Sequence, residues 1–211
     1  AVKSIGVLLA CCFVITSAAQ KTIDTIATKV DGYDIPIRIK LPKNTNGKNP
    51  VYFFVHGGGW NGGDSKNVPP ARLHNDANYL ADQLEVIYVG LAYRCKGNNA
   101  TFSDAIEDLE ASVQWFFDNA ENYNADITRI GFGGASAGST LAAIMAQKYT
   151  NCKLLVGAEG MYNLVEHSEE RSLFPNQKAR IAFGLATENE SKKASAYYNL
   201  SENPPNTLLL H

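Results

Sequence analysis

The chain has 211 residues, 45% of them hydrophobic, with 19 Lys and Arg against 21 Asp and Glu, for a formal net charge of -2. Such a length fits one domain, or at most two, with enough apolar side chain for a substantial core. The near-neutral balance without a basic stripe excludes nucleic acid as an expected partner. The short charge runs EDLE (107–110) and SEER (168–171) read as solvated faces rather than binding tails.

The first predicted element is residues 1–20, AVKSIGVLLACCFVITSAAQ, read as a signal peptide. Lys3 supplies the positive start, Ile5 to Ile15 the apolar stretch, and Ser17-Ala18-Ala19 the small residues for cleavage. The apolar stretch is too short to span a membrane. A secreted or periplasmic protein is therefore expected, with its folded domain over 21–211. Lipoprotein anchoring through Leu8-Leu9-Ala10-Cys11 is less favoured, because the apolar run continues past Cys11. Removing this segment leaves Cys95 and Cys152, either as a disulfide or as two buried thiols. No metal-ligand spacing such as CxxC is present, so no metal is expected. Asn99, Asn189 and Asn199 each stand in an Asn-x-Ser/Thr triplet.

TIDTIATKV and IPIRIKLP alternate apolar residues around Asp31-Gly32, the pattern of an antiparallel hairpin. Pro42 to Pro50 reads as a surface loop. VYFFVHG (51–57) is a continuous apolar run, predicting a strand buried on both faces. A helix is predicted over 71–84 and a second buried strand over 86–94. The longest helix is predicted from Thr101 to about Tyr123, capped by Thr101 with Asp104; Ile106, Leu109, Val113, Phe116 and Phe117 share one face. RIGFGG is a short strand running into the helix SAGSTLAAIMAQKY, and KLLVGAEGMY is the next strand. Residues 163–200 are polar and mixed, with helix-like pieces near 176–183 and 190–198. After Asn203-Pro204-Pro205, NTLLLH begins another strand. Strands alternating with helices predict an α/β fold with a mostly parallel sheet, an antiparallel N-terminal hairpin and helices on both faces. Ligands in such sheets sit at the carboxyl ends of the strands.

Two motifs fall at such ends. Gly134-Ala135-Ser136-Ala137-Gly138 is a G-x-S-x-G sequence between a strand and a helix. A serine on that sharp turn projects its hydroxyl above the sheet, with the helix N-terminus aimed at it. Ser136 is thus the candidate nucleophile. An acyl-transfer serine needs fixed donors for the oxyanion, and main-chain amides serve well. Ala137 supplies one; Gly58 and Gly59, in FVHGGGWNGG after an earlier strand, are the other candidates. His56 then orients the loop by hydrogen bonding rather than acting as base, and Trp60 packs under the loop or walls the pocket.

HGGGW, GGASAG, AYR after the intervening strand, and Asp126-x-x-Arg129-Ile130 together resemble the hormone-sensitive-lipase-like carboxylesterases of the α/β-hydrolase superfamily, over residues 22 to 211. The resemblance implies a Ser-Asp-His order of triad residues, no cofactor, a cap insertion around 163–200, and hydrolysis of esters with small or medium acyl groups. Expected substrates are small-molecule esters, short-chain lipid esters, or acetyl and feruloyl esters on polysaccharide.

The family pattern places the acid a few residues after an H-G pair, whose His matches His211, and the base later still. Both then fall beyond residue 211, and the chain reads as part of a longer esterase with an exposed apolar edge. His74 belongs to a helix and His167 to the cap region. Glu159 ends a strand where a few lipases of the superfamily place their acid, but pairing it with His167 or His211 needs special geometry. A non-catalytic homologue used for binding and a serine peptidase of the same fold are the rival readings. Acyl and alcohol preference and oligomeric state are not encoded in these motifs.

Overall fold

Asp31 and Gly32 lie at φ of 49° and 81°, and this left-handed pair folds β1 (Thr22–Val30) back on β2 (Tyr33–Lys40). The hairpin is the first piece of the protein in a computed structural model that describes residues 21–43, 47–61, 74–165, 181 and 183–210. The predicted signal peptide, the SEER run, His167, His211 and most of the 176–183 piece lie outside the described residues. Five further strands follow: β3 (Asn49–Val55), β4 (Ile87–Leu91), β5 (Ala125–Ala135), β6 (Cys152–Ala158) and β7 (Asn206–Leu210). They join one sheet in the order β1-β2-β4-β3-β5-β6-β7. β2 meets both β1 and β4 antiparallel, and every other pairing is parallel.

The crossovers place helices on both faces. Between β4 and β5 runs α2 (Phe102–Asp118), and between β5 and β6 runs α3 (Ala137–Lys148). Their face carries the main core: Phe53 meets Phe116 edge-on at 5.5 Å and stacks on Phe132 at 5.2 Å. The other face carries α1 (His74–Gln83), which with Tyr52, Phe54, Tyr88, Val156 and Leu210 borders an apolar groove of about 460 Å³. β3 is accordingly not buried on both faces. Val51, Phe53 and Val55 are buried, while Tyr52 and Phe54 on the groove side are only half-buried.

Several boundaries move for local reasons. β3 begins at Asn49, where Asn49 N–H donates to Asn124 O at 2.9 Å and the side chain donates to Glu85 O at 2.8 Å. The Thr101–Asp104 capping box forms as expected: the Asp104 carboxylate accepts from Thr101 N at 2.7 Å. The helix stops at Asp118 rather than Tyr123, because the Asn119 side chain takes the Trp115 carbonyl at 2.8 Å and a 3₁₀ turn, Ala120–Tyr123, follows. Of the piece predicted near 190–198, the helix is Glu188–Lys193, started by a second capping box at Thr187, and a 3₁₀ turn, Ala196–Tyr198, replaces its predicted continuation.

EDLE is not a solvated face. Asp108 is 1% exposed and sits under Arg94, just past the end of β4. Arg94 Nε donates to Asp108 Oδ2 at 2.9 Å and Arg94 N–H donates to the same oxygen at 2.8 Å. The guanidinium also reaches Asp31 at 2.8 Å, tying the hairpin turn to α2. Of that run only Glu107 is freely exposed; Glu110 pairs with Lys148. Cys95 and Cys152 are both buried and free, so the two-thiol reading holds, and burial pushes the Cys95 thiol up to about 11. No described helix is long and apolar enough to cross a membrane.

Candidate active site

Ser136 closes β5 and caps α3 with φ 52° and ψ -125°, a backbone state a non-glycine residue rarely holds. Its N–H donates to Ala158 O at the end of β6, at 2.7 Å. Glycine is required on both sides of it. A Cβ at Gly134 would lie 2.4 Å from Gly138 O, and one at Gly138 would lie 2.2 Å from Val55 O and 2.3 Å from His56 O. The end of β3 therefore rests directly on the first turn of α3.

That contact carries the glycine loop to the serine. A Cβ at Gly57 would sit 2.6 Å from Ala135 O and 3.3 Å from the Ser136 Cβ. The loop then turns through Gly58 (φ 135°), Gly59 (φ 60°) and Trp60 (φ 54°), closed by Asn61 N–H on Gly58 O at 3.1 Å. Ala137, the first residue of α3, has no carbonyl one turn back to bond within the helix, and its N–H sits at the positive end of the helix dipole. Ser136 and Ala137 thus stand beside the segment that bears Gly58 and Gly59.

His56 is almost wholly buried. Its Nδ1 lies 2.8 Å from Gly57 O, which only accepts, so Nδ1 carries the proton and donates. The ring stacks on Tyr93 at 4.5 Å, and Tyr93 OH donates to His56 O at 3.0 Å. Burial holds the imidazole below its usual range, with the bond to Gly57 O as a smaller opposing effect. These contacts anchor the loop, the orienting role expected from the sequence. Folding with a depressed histidine pKa has a definite sign. Above 6.5 both states are neutral and stability is unaffected; as pH falls below 6.5 the unfolded chain binds a proton that the folded one refuses, and stability drops until the folded pKa is reached. His56→Gln is expected to flatten this acid limb in urea melts at stepped pH. The slope removed is at most about 1.4 kcal/mol per pH unit.

Trp60 is fully buried and packs on Phe183 at 5.6 Å; Phe183 in turn meets Phe102 edge-on at 5.9 Å. Trp60 O accepts from Lys96 N–H at 2.8 Å. The tryptophan therefore packs under the loop and joins it to the segment around Phe183.

Glu159 follows β6 at φ 53°, its N–H donating to Leu210 O at 2.8 Å and its side chain exposed. His74 starts α1. The described residues hold no His, Cys, Asp and Glu grouping suited to a metal.

Four further residues at this site carry no signal in the motifs. Ser139 and Thr140 of α3 bond the segment after β6, Ser139 Oγ to Tyr162 OH at 2.8 Å and Thr140 Oγ1 accepting from Met161 N–H at 3.1 Å. The available signal was the position of Ser139 and Thr140, three and four residues after Ser136, where their N–H groups reach the Ser136 carbonyl at 2.9 and 3.3 Å.

Comparison with known proteins adds to this geometry. The family model described as BD-FAE matches residues 37–211. The chain is 35% identical over 118 residues to arylacetamide deacetylase from Bos taurus, covering 54% of this chain and 29% of that protein. It is 35% identical over 115 residues to carboxylesterase NlhH of Mycobacterium tuberculosis, covering 54% of this chain and 34% of that one. The matched stretch thus spans about a third of the length of these curated relatives. The fold is that of Thermogutta terrifontis esterase 2: its apo form superposes with a TM-score of 0.70 at 21% identity, covering 93% of this chain and 72% of that chain.

Proposed function

We propose, for a chain that belongs to the BD-FAE family and has the α/β-hydrolase fold, that it carries the nucleophile and oxyanion donors of a serine carboxylic-ester hydrolase. The observation that carries the reading is the strained Ser136 turn with the glycine loop seated against it, so close that a Cβ added at Gly57 would lie 3.3 Å from the Ser136 Cβ. Ser136 Oγ attacks the ester carbonyl carbon. The carbonyl oxygen becomes an oxyanion facing the amides of Gly58, Gly59 and Ala137, which need no reorganisation as charge develops. A histidine takes the serine proton and passes it to the departing alcohol, and water then hydrolyses the acyl-enzyme by the same steps in reverse. On this reading the histidine and its aspartate partner lie beyond residue 211.

The substrates are esters of short acyl groups: small molecules, short-chain lipid esters, or acetyl and feruloyl esters on polysaccharide. Export by the segment 1–20 favours the polysaccharide class, and residues 163–200 act as the cap over the site. The relatives named carboxylesterase and deacetylase support acyl transfer from an ester or amide.

The test is a panel of p-nitrophenyl esters of graded chain length beside aminoacyl anilides, with protein made from the complete coding sequence, together with covalent labelling by a fluorophosphonate. Turnover of the short esters and labelling at Ser136 are expected. Faster turnover of the anilides would replace the esterase by a peptidase. Absence of both turnover and labelling would leave a non-catalytic homologue that binds ligands.

A further inference from the structure

The segment leaving β6 is wrapped around a single pair of hydroxyls. Tyr162 OH and Ser139 Oγ are 2.8 Å apart, and Ser139 is fully buried in the first turn of α3. Gly157 and Gly160 close on this pair so tightly that a Cβ at either would fall 2.6 Å from Ser139 Oγ, and 2.2 Å or 2.8 Å respectively from Tyr162 OH. Next in the segment, Met161 N–H donates to Thr140 Oγ1. Tyr162 O accepts from Tyr197 N–H of the cap segment at 2.9 Å. Between the two glycines lies Ala158, whose carbonyl takes the Ser136 N–H at 2.7 Å.

This arrangement gives the nucleophile two supports of different kind. Along the chain it is held by the start of α3. Across the sheet it is held by Ala158 O, at the last residue of β6, and the segment continuing from there meets α3 where Tyr162 OH reaches Ser139 Oγ. Ser139 N–H donates to Ser136 O at 2.9 Å, so the two residues are directly joined at the helix start. We propose that Tyr162 is a positioning residue: its hydroxyl, through Ser139, fixes Ala158 O and thereby the backbone and Oγ of Ser136. Because Tyr162 O also carries the bond from Tyr197, the same segment links the seat of the cap to the aim of the serine.

The kinetic half of the proposal rests on the ester-hydrolase reading; the structural half does not. Removing the hydroxyl leaves Ser139 Oγ buried without this partner and gives the segment room to shift. Misplacement of a reacting group by about 1 Å costs up to about 100-fold in rate. For Tyr162→Phe, kcat per fluorophosphonate-titrated site is expected to fall at least about 10-fold with KM held within about twofold. Ser139→Ala should do the same, and the double variant should be no worse than the poorer single, because both remove one interaction. Amide exchange at Ser136, read by mass spectrometry in the folded protein, should quicken in both single variants. A merely structural role would instead lower the number of titratable sites and leave kcat per site and the Ser136 exchange untouched. That result overturns the proposal, as would a loss confined to KM or losses that add in the double variant. If the wild type neither hydrolyses esters nor takes the label, the ester-hydrolase reading fails on its own account and the exchange data decide: quickened exchange in both variants upholds the positioning role, and unchanged exchange ends it.

Discussion

Ser136→Ala is expected to abolish fluorophosphonate labelling and to lower kcat on the order of 10⁶-fold, while the thermal midpoint stays where it was. The two halves have different causes. Oγ is the attacking atom, so its removal ends covalent catalysis and leaves only binding and oxyanion donors. Alanine, however, inherits the same backbone state, φ 52° and ψ -125°, and the same N–H bond to Ala158 O. A non-glycine residue there bears strain of about 1–3 kcal/mol. Ser136→Gly separates the effects: it should be as inactive as alanine yet more stable, by about 1 kcal/mol once the greater freedom of glycine in the unfolded chain is subtracted. Melting curves of the three proteins beside a labelling gel check this. A glycine variant less stable than the alanine variant would show that the turn is not strained, and with it the geometry that marks Ser136 as a nucleophile would lose its meaning.

The largest loss of stability is expected from Asp108→Ala. Arg94 keeps only 6% of its side chain exposed, and Asp108 satisfies both its Nε and its backbone N–H. Removing Asp108 leaves the buried Arg94 Nε and backbone N–H without their acceptor, with only the more exposed Asp31 and Asp104 near the charge, at a cost of about 3–5 kcal/mol. In a domain of this size that lowers the thermal midpoint by about 6–20 °C. Asp31→Ala removes a partner that is 78% exposed, so it should cost less than about 1 kcal/mol. The harm from Asp108→Ala should reach the site as well, because Tyr93, beside Arg94, is the ring on which His56 stacks. Denaturant melts of the two variants give the comparison, and equal losses would refute the assignment of the buried pair.

The elbow and the glycine loop were readable because each motif residue answers a local demand: a positive φ, a close backbone approach, a helix start. What joins them was not readable. The contact of Gly138 with Val55 O and His56 O exists only because β3 lies next to β5, and nothing in either segment states that β4 inserts on the far side of β3. Asp108 was misjudged for a related reason. Its charge suggested water, whereas its position three after Ala105 and four before Ser112 places it on the buried face of α2. The partner that makes burial tolerable lies 14 residues earlier. Tyr162 was equally opaque, since a tyrosine after a strand has no meaning until α3 presents Ser139 to it.

The last two strands set one more property. Leu154, Leu208, Leu209 and Leu210 remain 40%, 51%, 45% and 48% exposed in the folded chain. Unfolding wets only about half as much hydrocarbon there as it would at buried leucines. The heat-capacity increment on melting is lowered in proportion, by about 0.45 cal/mol/K for each Å² of apolar surface that is already in water.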